Sequence, residues 1–86
     1  MNSVELLAQA TKVAEQMGYQ VRQEWLGGVN SGGCEFAGRK WIFLDLALNA
    51  AEQLDQLTEV LCQDPVVHLV SLPPPLSKLW GIGQVV

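Results

Sequence analysis

The apolar run Trp41–Leu44, with the sequence Trp-Ile-Phe-Leu, constrains the fold more than any other feature of this chain. Consecutive side chains of a β-strand point to opposite faces of the sheet, so a strand built from this run is apolar on both faces. We therefore expect residues 40–46 to form the most buried strand. Such a strand needs a cover on each face, namely a helix on one side and the C-terminal tail or a second subunit on the other.

Two amphipathic helices are predicted, one before this strand and one after it. Apolar residues recur at spacings of three and four over residues 2–17 and 50–63, which places them on one stripe of a helix. Asn2 and Asn49 each precede a glutamate by three residues, a spacing typical of a capping box. Asp64 and Pro65 end the second helix, because the residue before a proline avoids helical geometry and Pro65 lacks an amide proton.

Alternating apolar and polar residues predict a half-buried strand over residues 19–25. A hairpin is predicted between strands at 34–37 and 40–46, with Gly38 and Arg39 as the central residues of its turn. The expected fold class is therefore α+β, in the order helix, three-stranded antiparallel meander, helix.

The C-terminal third is less regular. Residues 66–72 are a candidate fourth strand, and the three prolines at 73–75 predict an extended connector. A short helix is expected from Pro75 to Trp80, ended by a glycine. At this length we expect one domain over residues 1–86.

The amino-acid composition favours a packed globular protein over a disordered or membrane-spanning one. Apolar residues make up 49% of the chain and charged residues 16%, a balance typical of a packed globule rather than of disorder. The apolar runs are too short to cross a bilayer, and the N-terminus has no leader pattern, so we expect a cytoplasmic protein without a membrane partner. Nine acidic residues against five basic ones argue against a nucleic-acid partner.

A glycine-rich segment follows the first predicted strand and is a candidate loop for an anion or small ligand. It lacks the lysine of a Walker loop and the strand-to-helix context of a dinucleotide fingerprint, so a flexible chain reversal is the favoured interpretation. The residues of the candidate loop are Gly27, Gly28, Asn30, Ser31, Gly32 and Gly33.

Cys34 follows this loop and is the candidate reactive thiol of a small enzyme or redox protein. Packing in the core is the favoured alternative for Cys34 and also for Cys62. His68 is the only histidine and is expected on a strand. The chain has no paired ligand spacing for a metal and no nucleophile motif around Ser31 or Asp45, so we predict no metal, no cofactor and no catalytic residue.

Three tryptophans are many for so short a chain, and aromatic residues are frequent at binding hot spots. We expect an interaction surface that includes Trp25, Leu76 and Trp80. The leading hypothesis is a non-enzymatic protein-interaction or self-association module, with a homodimer as the expected form of self-association. Thiol chemistry at Cys34 and ligand binding at Gly27–Gly33 are the alternatives.

Residues 15–62 resemble small uncharacterised bacterial proteins of similar length, in segments such as Gly18–Arg22 and Gly32–Asp45. The resemblance implies a shared fold and no activity. The predicted order of helix, meander and helix is also similar in shape to the core of zinc metalloproteases of the zincin type. The second helix lacks both histidines of that family, so the likeness does not extend to its metal.

Overall fold

A computed structural model describes residues 2–26 and 32–82 of the protein, with the backbone alone at 32–34 and 36, and confirms the α+β class. Three α-helices, one 3₁₀ helix and three strands lie within these residues. In chain order they are α1 (Ser3–Gln16), β1 (Tyr19–Glu24), β2 (Gly32–Phe36), β3 (Arg39–Asp45), α2 (Ala50–Gln63), the 3₁₀ helix (Pro65–Leu69) and α3 (Pro74–Trp80).

The three strands form a mixed sheet in the order β1-β3-β2, so the predicted antiparallel meander is wrong. β3 pairs in parallel with β1 and antiparallel with β2. The central strand of a sheet is the most buried, and β3 is the most apolar of the three strands. The more polar β1 lies at an edge of the described sheet. The likeness in shape to zincins rested on the meander and is lost with it.

The hairpin between β2 and β3 is present, but its turn lies one residue earlier than predicted. Phe36 pairs with Arg39, which leaves Ala37 and Gly38 as the central residues. Their φ angles are 55° and 77°, so both residues are left-handed. This is the type I′ geometry, whose twist matches that of the flanking strands.

The helices pack on one face of the sheet. Ile42 and Leu44 of β3 are fully buried there, together with Leu57 and Leu61 of α2 and Leu76 of α3. Aliphatic residues on one stripe of α1 complete this core, as the spacing of three and four predicts: Leu7, Ala10, Val13, Ala14 and Met17.

Residues 65–69 form a 3₁₀ helix, so the predicted strand over 66–72 is wrong. The Asp64 carboxylate accepts a hydrogen bond from the Val66 amide at 3.0 Å, and Pro65 supplies a helical φ at the first position. The same two residues therefore end α2 and begin the next helical turn. Val67 is buried under this turn, while Leu69 is 82% exposed.

The short C-terminal helix α3 is confirmed and packs on its own chain. Leu76 is fully buried, and the Trp80 indole donates to Thr58 Oγ1 on α2 at 2.9 Å. Gly81 closes the helix in a left-handed conformation at φ 67°. Among the described residues, no helix is long and apolar enough to cross a membrane.

Candidate interaction surface

The sheet has a second face, turned away from the helices, which we call the outer face. Ile42 and Leu44 point into the core, so the residues that alternate with them point the other way. The paired residues of β1 follow the same alternation. The described side chains that this alternation places on the outer face are Gln20, Arg22, Glu24, Arg39, Trp41, Phe43 and Asp45.

Trp41 and Phe43 form the apolar centre of the outer face. Their rings are stacked with centroids 6.0 Å apart and an interplanar angle of 8°. Both are half-buried, and neither belongs to the core cluster under the helices. The buried indole nitrogen of Trp41 has no hydrogen-bond acceptor among the described residues. β3 is thus apolar on both faces, and within the described chain the helices cover only one of them.

Charged residues of β1 flank this aromatic pair. Arg22 Nη2 lies 3.3 Å from Glu24 Oε1, and the two side chains are 57% and 45% exposed. Such a solvent-exposed ion pair contributes little to folding stability, typically well under about 1 kcal/mol. Both groups remain accessible to a partner.

Trp25 and Leu46 are exposed apolar residues at the carboxyl end of the parallel strands. Trp25 is 75% exposed and follows β1, and Leu46 is 36% exposed and follows β3. The Leu46 amide donates to the Glu24 carbonyl at 2.9 Å, which holds the two segments side by side. Trp25 is thus exposed in the single chain, and its role in an interaction stays a prediction.

Asp45 has a structural role at this edge. Its carboxylate is almost fully buried and accepts hydrogen bonds from the amides of Ala47 at 2.9 Å and Leu26 at 3.4 Å. The side chain thereby fixes the segments that leave β1 and β3. His68 lies in the 3₁₀ helix, which is anchored through Asp64 at the other end of the strands, so the fold separates it from Asp45.

A polar cluster joins the amino ends of the strands to the end of α2. The Tyr19 hydroxyl donates to Asp64 Oδ2 at 2.7 Å, and Lys40 Nζ lies 3.3 Å from the same oxygen. Lys40 Nζ also lies 5.3 Å from the centroid of the Tyr19 ring. Sequence reasoning missed this cluster because Asp64 was interpreted only as a helix terminator.

The protonation states of the cluster favour a structural role over proton donation. Burial and the hydrogen bond to Asp64 raise the pKa of Tyr19 to about 12. The hydrogen bonds from Tyr19 and the Val66 amide, together with Lys40, lower the pKa of Asp64. Near neutral pH the phenol thus keeps its proton and the carboxylate stays charged, which is the arrangement that holds the three elements together.

The other members of the expected interaction surface lie elsewhere. Leu76 is fully buried in the core of its own chain, which removes it from the surface. Leu76 lies on the side of α3 that faces the core, so its side chain packs among the core residues. Trp80 is half-buried, and its indole nitrogen is bonded to Thr58.

The structure describes the side chain of Cys62 but not that of Cys34. Cys34 pairs with Trp41 in the β2-β3 ladder, and its side chain lies outside the described part of the structure. Cys62 is an exposed free thiol, so its expected place in the core is wrong. It lies on the flank of the α2 stripe, where burial of part of its surface raises the pKa of the thiol.

The candidate ligand loop falls largely outside the described residues. Gly32 and Gly33 are the first two residues of β2, and Gly27, Gly28, Asn30 and Ser31 are not described. His68 is exposed on the 3₁₀ helix rather than on a strand. Within residues 2–26 and 32–82, no three histidine, cysteine or acidic side chains are grouped as metal ligands.

Comparisons with protein-family models, with curated proteins and with solved structures found no match to this chain. The function is therefore argued from its own residues.

Proposed function

We propose that this protein is a non-enzymatic protein-interaction module whose contact surface is the outer face of its sheet. The observation that carries the proposal is the stacked pair of Trp41 and Phe43, which lies outside the core cluster. Aromatic side chains supply much of the binding energy at protein interfaces because each removes a large apolar area from water.

The composition of the outer face supports the same assignment. Interfaces commonly have an apolar centre surrounded by a polar, solvent-accessible rim. Trp41 and Phe43 occupy the centre, on the middle strand of the sheet, and Arg22 and Glu24 lie on the neighbouring strand with much of their surface exposed. Thiol chemistry at Cys34 and a ligand at Gly27–Gly33 concern residues that lie largely outside the described part of the structure, so both alternatives stay predictions.

The test compares the binding of wild-type protein with that of the double variant Trp41→Thr/Phe43→Thr. Threonine is well tolerated in strands, so the substitution removes the aromatic surface and keeps the β-propensity. Each protein is immobilised and exposed to a lysate of the cells from which the sequence comes, and bound proteins are quantified by mass spectrometry. We expect the double variant to lose the specifically bound proteins.

Leu69→Thr is the matched control, because Leu69 is 82% exposed and lies outside the sheet. Circular dichroism establishes that all three proteins are folded. Equal recovery of the same proteins by the wild type and the double variant would contradict the proposal. Loss of binding in the Leu69 variant as well would show that general surface hydrophobicity, rather than the outer face, causes the recovery.

A further inference from the structure

β1 forms a border of the described sheet, since β3 is its only partner among the described strands. The hydrogen bond from the Leu46 amide to the Glu24 carbonyl fixes which way the main-chain groups of β1 point. Along a parallel pair, alternate residues bond to the neighbouring strand. Arg22 and Glu24 therefore face β3, and the amides and carbonyls of Val21 and Gln23 point away from the sheet. Such an edge is a template for a further strand.

We propose that a second copy of this chain adds its own β1 to this edge, antiparallel about a two-fold axis at Gln23. The inference goes beyond the proposed function, because the contact is the β1 edge rather than the outer face. In this register the outward main-chain groups of the two strands meet, and Arg22 of each copy lies directly opposite Glu24 of the other. The sheet continues through both subunits, and the two outer faces join into one surface.

The charges of Arg22 and Glu24 favour this register over registers whose two-fold axis lies at a neighbouring residue. A two-fold axis at Arg22 places the arginines of the two copies opposite each other, and an axis at Glu24 does the same for the glutamates. Like charges directly opposite on paired strands are destabilising, while opposite charges are stabilising. Only the axis at Gln23 places Arg22 opposite Glu24 of the other copy, and the two-fold symmetry produces this ion pair twice.

The exposed tryptophan agrees with the same register. With the axis at Gln23, Trp25 of each copy lies opposite Val21 of the other. Trp25 is 75% exposed in the single chain, and Val21 is half-buried. An aromatic residue opposite a β-branched residue is a favourable cross-strand pair. The pairing thus covers part of the exposed Trp25 side chain.

The test measures molar mass against concentration by light scattering for a set of charge variants. We expect the wild type to rise from 9.4 kDa towards twice that mass. Arg22→Glu and Glu24→Arg each replace two attractive pairs with two repulsive ones, so each should raise the dissociation constant by about tenfold. The double variant Arg22→Glu/Glu24→Arg restores opposite charges in this register and should recover the wild-type dissociation constant.

Lys12→Glu and Glu59→Arg are the matched controls, since they change the net charge by the same amounts at exposed helical positions. Both should dimerise like the wild type. A second pair of variants tests the edge itself. Gln23→Pro removes an outward amide and should abolish the dimer, whereas Gln23→Ala removes the same side chain, with its bond to Gln53, and keeps the amide.

A folded wild type that stays at 9.4 kDa at every concentration overturns the proposal, and would mean that the edge charges prevent pairing. A dimer that tolerates Gln23→Pro, or that the double charge variant fails to restore, overturns it too. These outcomes are distinct from failure of the proposed function. That function fails if removing Trp41 and Phe43 leaves binding unchanged, whatever the state of the β1 edge.

Discussion

Ala37 holds a left-handed backbone conformation, with φ 55°, that glycine adopts much more readily. Ala37→Gly should therefore stabilise the hairpin by about 0.5–1 kcal/mol, which corresponds to several degrees in the midpoint of thermal unfolding. The control is the same substitution in the exposed middle of α1. Ala8→Gly should destabilise by about 1 kcal/mol because glycine disfavours a helix. If both variants melt below the wild type, the turn geometry assigned here is contradicted.

The Tyr19–Asp64 bond predicts a loss of stability at both extremes of pH. The pKa of Tyr19 is raised from 10.0 to about 12. Its contribution to the unfolding free energy is therefore complete below pH 10 and is lost as the pH rises from 10 to 12. The pKa of Asp64 is lowered from 3.8, so its contribution is present above that value and is lost as the pH falls through the lower, folded-state pKa. Urea unfolding across pH measures both limbs.

Tyr19→Phe is the variant that isolates this effect, because it keeps the ring and removes the hydroxyl. Between pH 10 and 12 it should lose less stability than the wild type does, and in acid its Asp64 should titrate at a higher pH. Parallel losses by the two proteins over both ranges would show that other groups dominate. Lys40 remains beside Asp64 in the variant, so part of the acid limb is expected to persist.

At the scale of elements, α3 is expected to be an integral part of the fold. Leu76→Ala empties a fully buried site and should cost about 2–5 kcal/mol, a large part of the roughly 4–13 kcal/mol typical of a chain this long. Leu79→Ala is the control on the same helix. Leu79 is 52% exposed, so its loss should change the unfolding free energy by less than about 0.5 kcal/mol. Similar urea midpoints for the two variants would contradict the docking of α3.

Local pattern predicted the elements whose signals are local. The helices follow from apolar spacing, and Asn49 forms the expected capping box with Glu52. The order of the strands could not be predicted in this way, because the sequence of β1 is compatible with either direction of pairing. Asp64 and Pro65 were recognised as the end of one helix but not as the start of another, since both roles use the same residues.

The candidate surface was predicted only in part, because its local sequence pattern is readable and its long-range contacts are not. The two-sided apolar pattern of β3 indicated that a second cover is needed, and the described helices supply only the first. Trp25, Leu76 and Trp80 could not be separated by sequence, since an aromatic or aliphatic residue suits a core and an interface equally well. The exposure of Leu76 and Trp80 depends on how α3 folds back, which is a long-range contact.

At the scale of the whole molecule, we propose that the protein associates through its sheet rather than through its helices. Hydrogen–deuterium exchange of dilute and concentrated protein tests this claim most directly, because it locates the contact as well as detecting it. We predict slower exchange at high concentration for residues 19–26, where the outward amides of β1 gain partners, and unchanged exchange for α2. Protection confined to the helices, or no change at any concentration, would contradict the account.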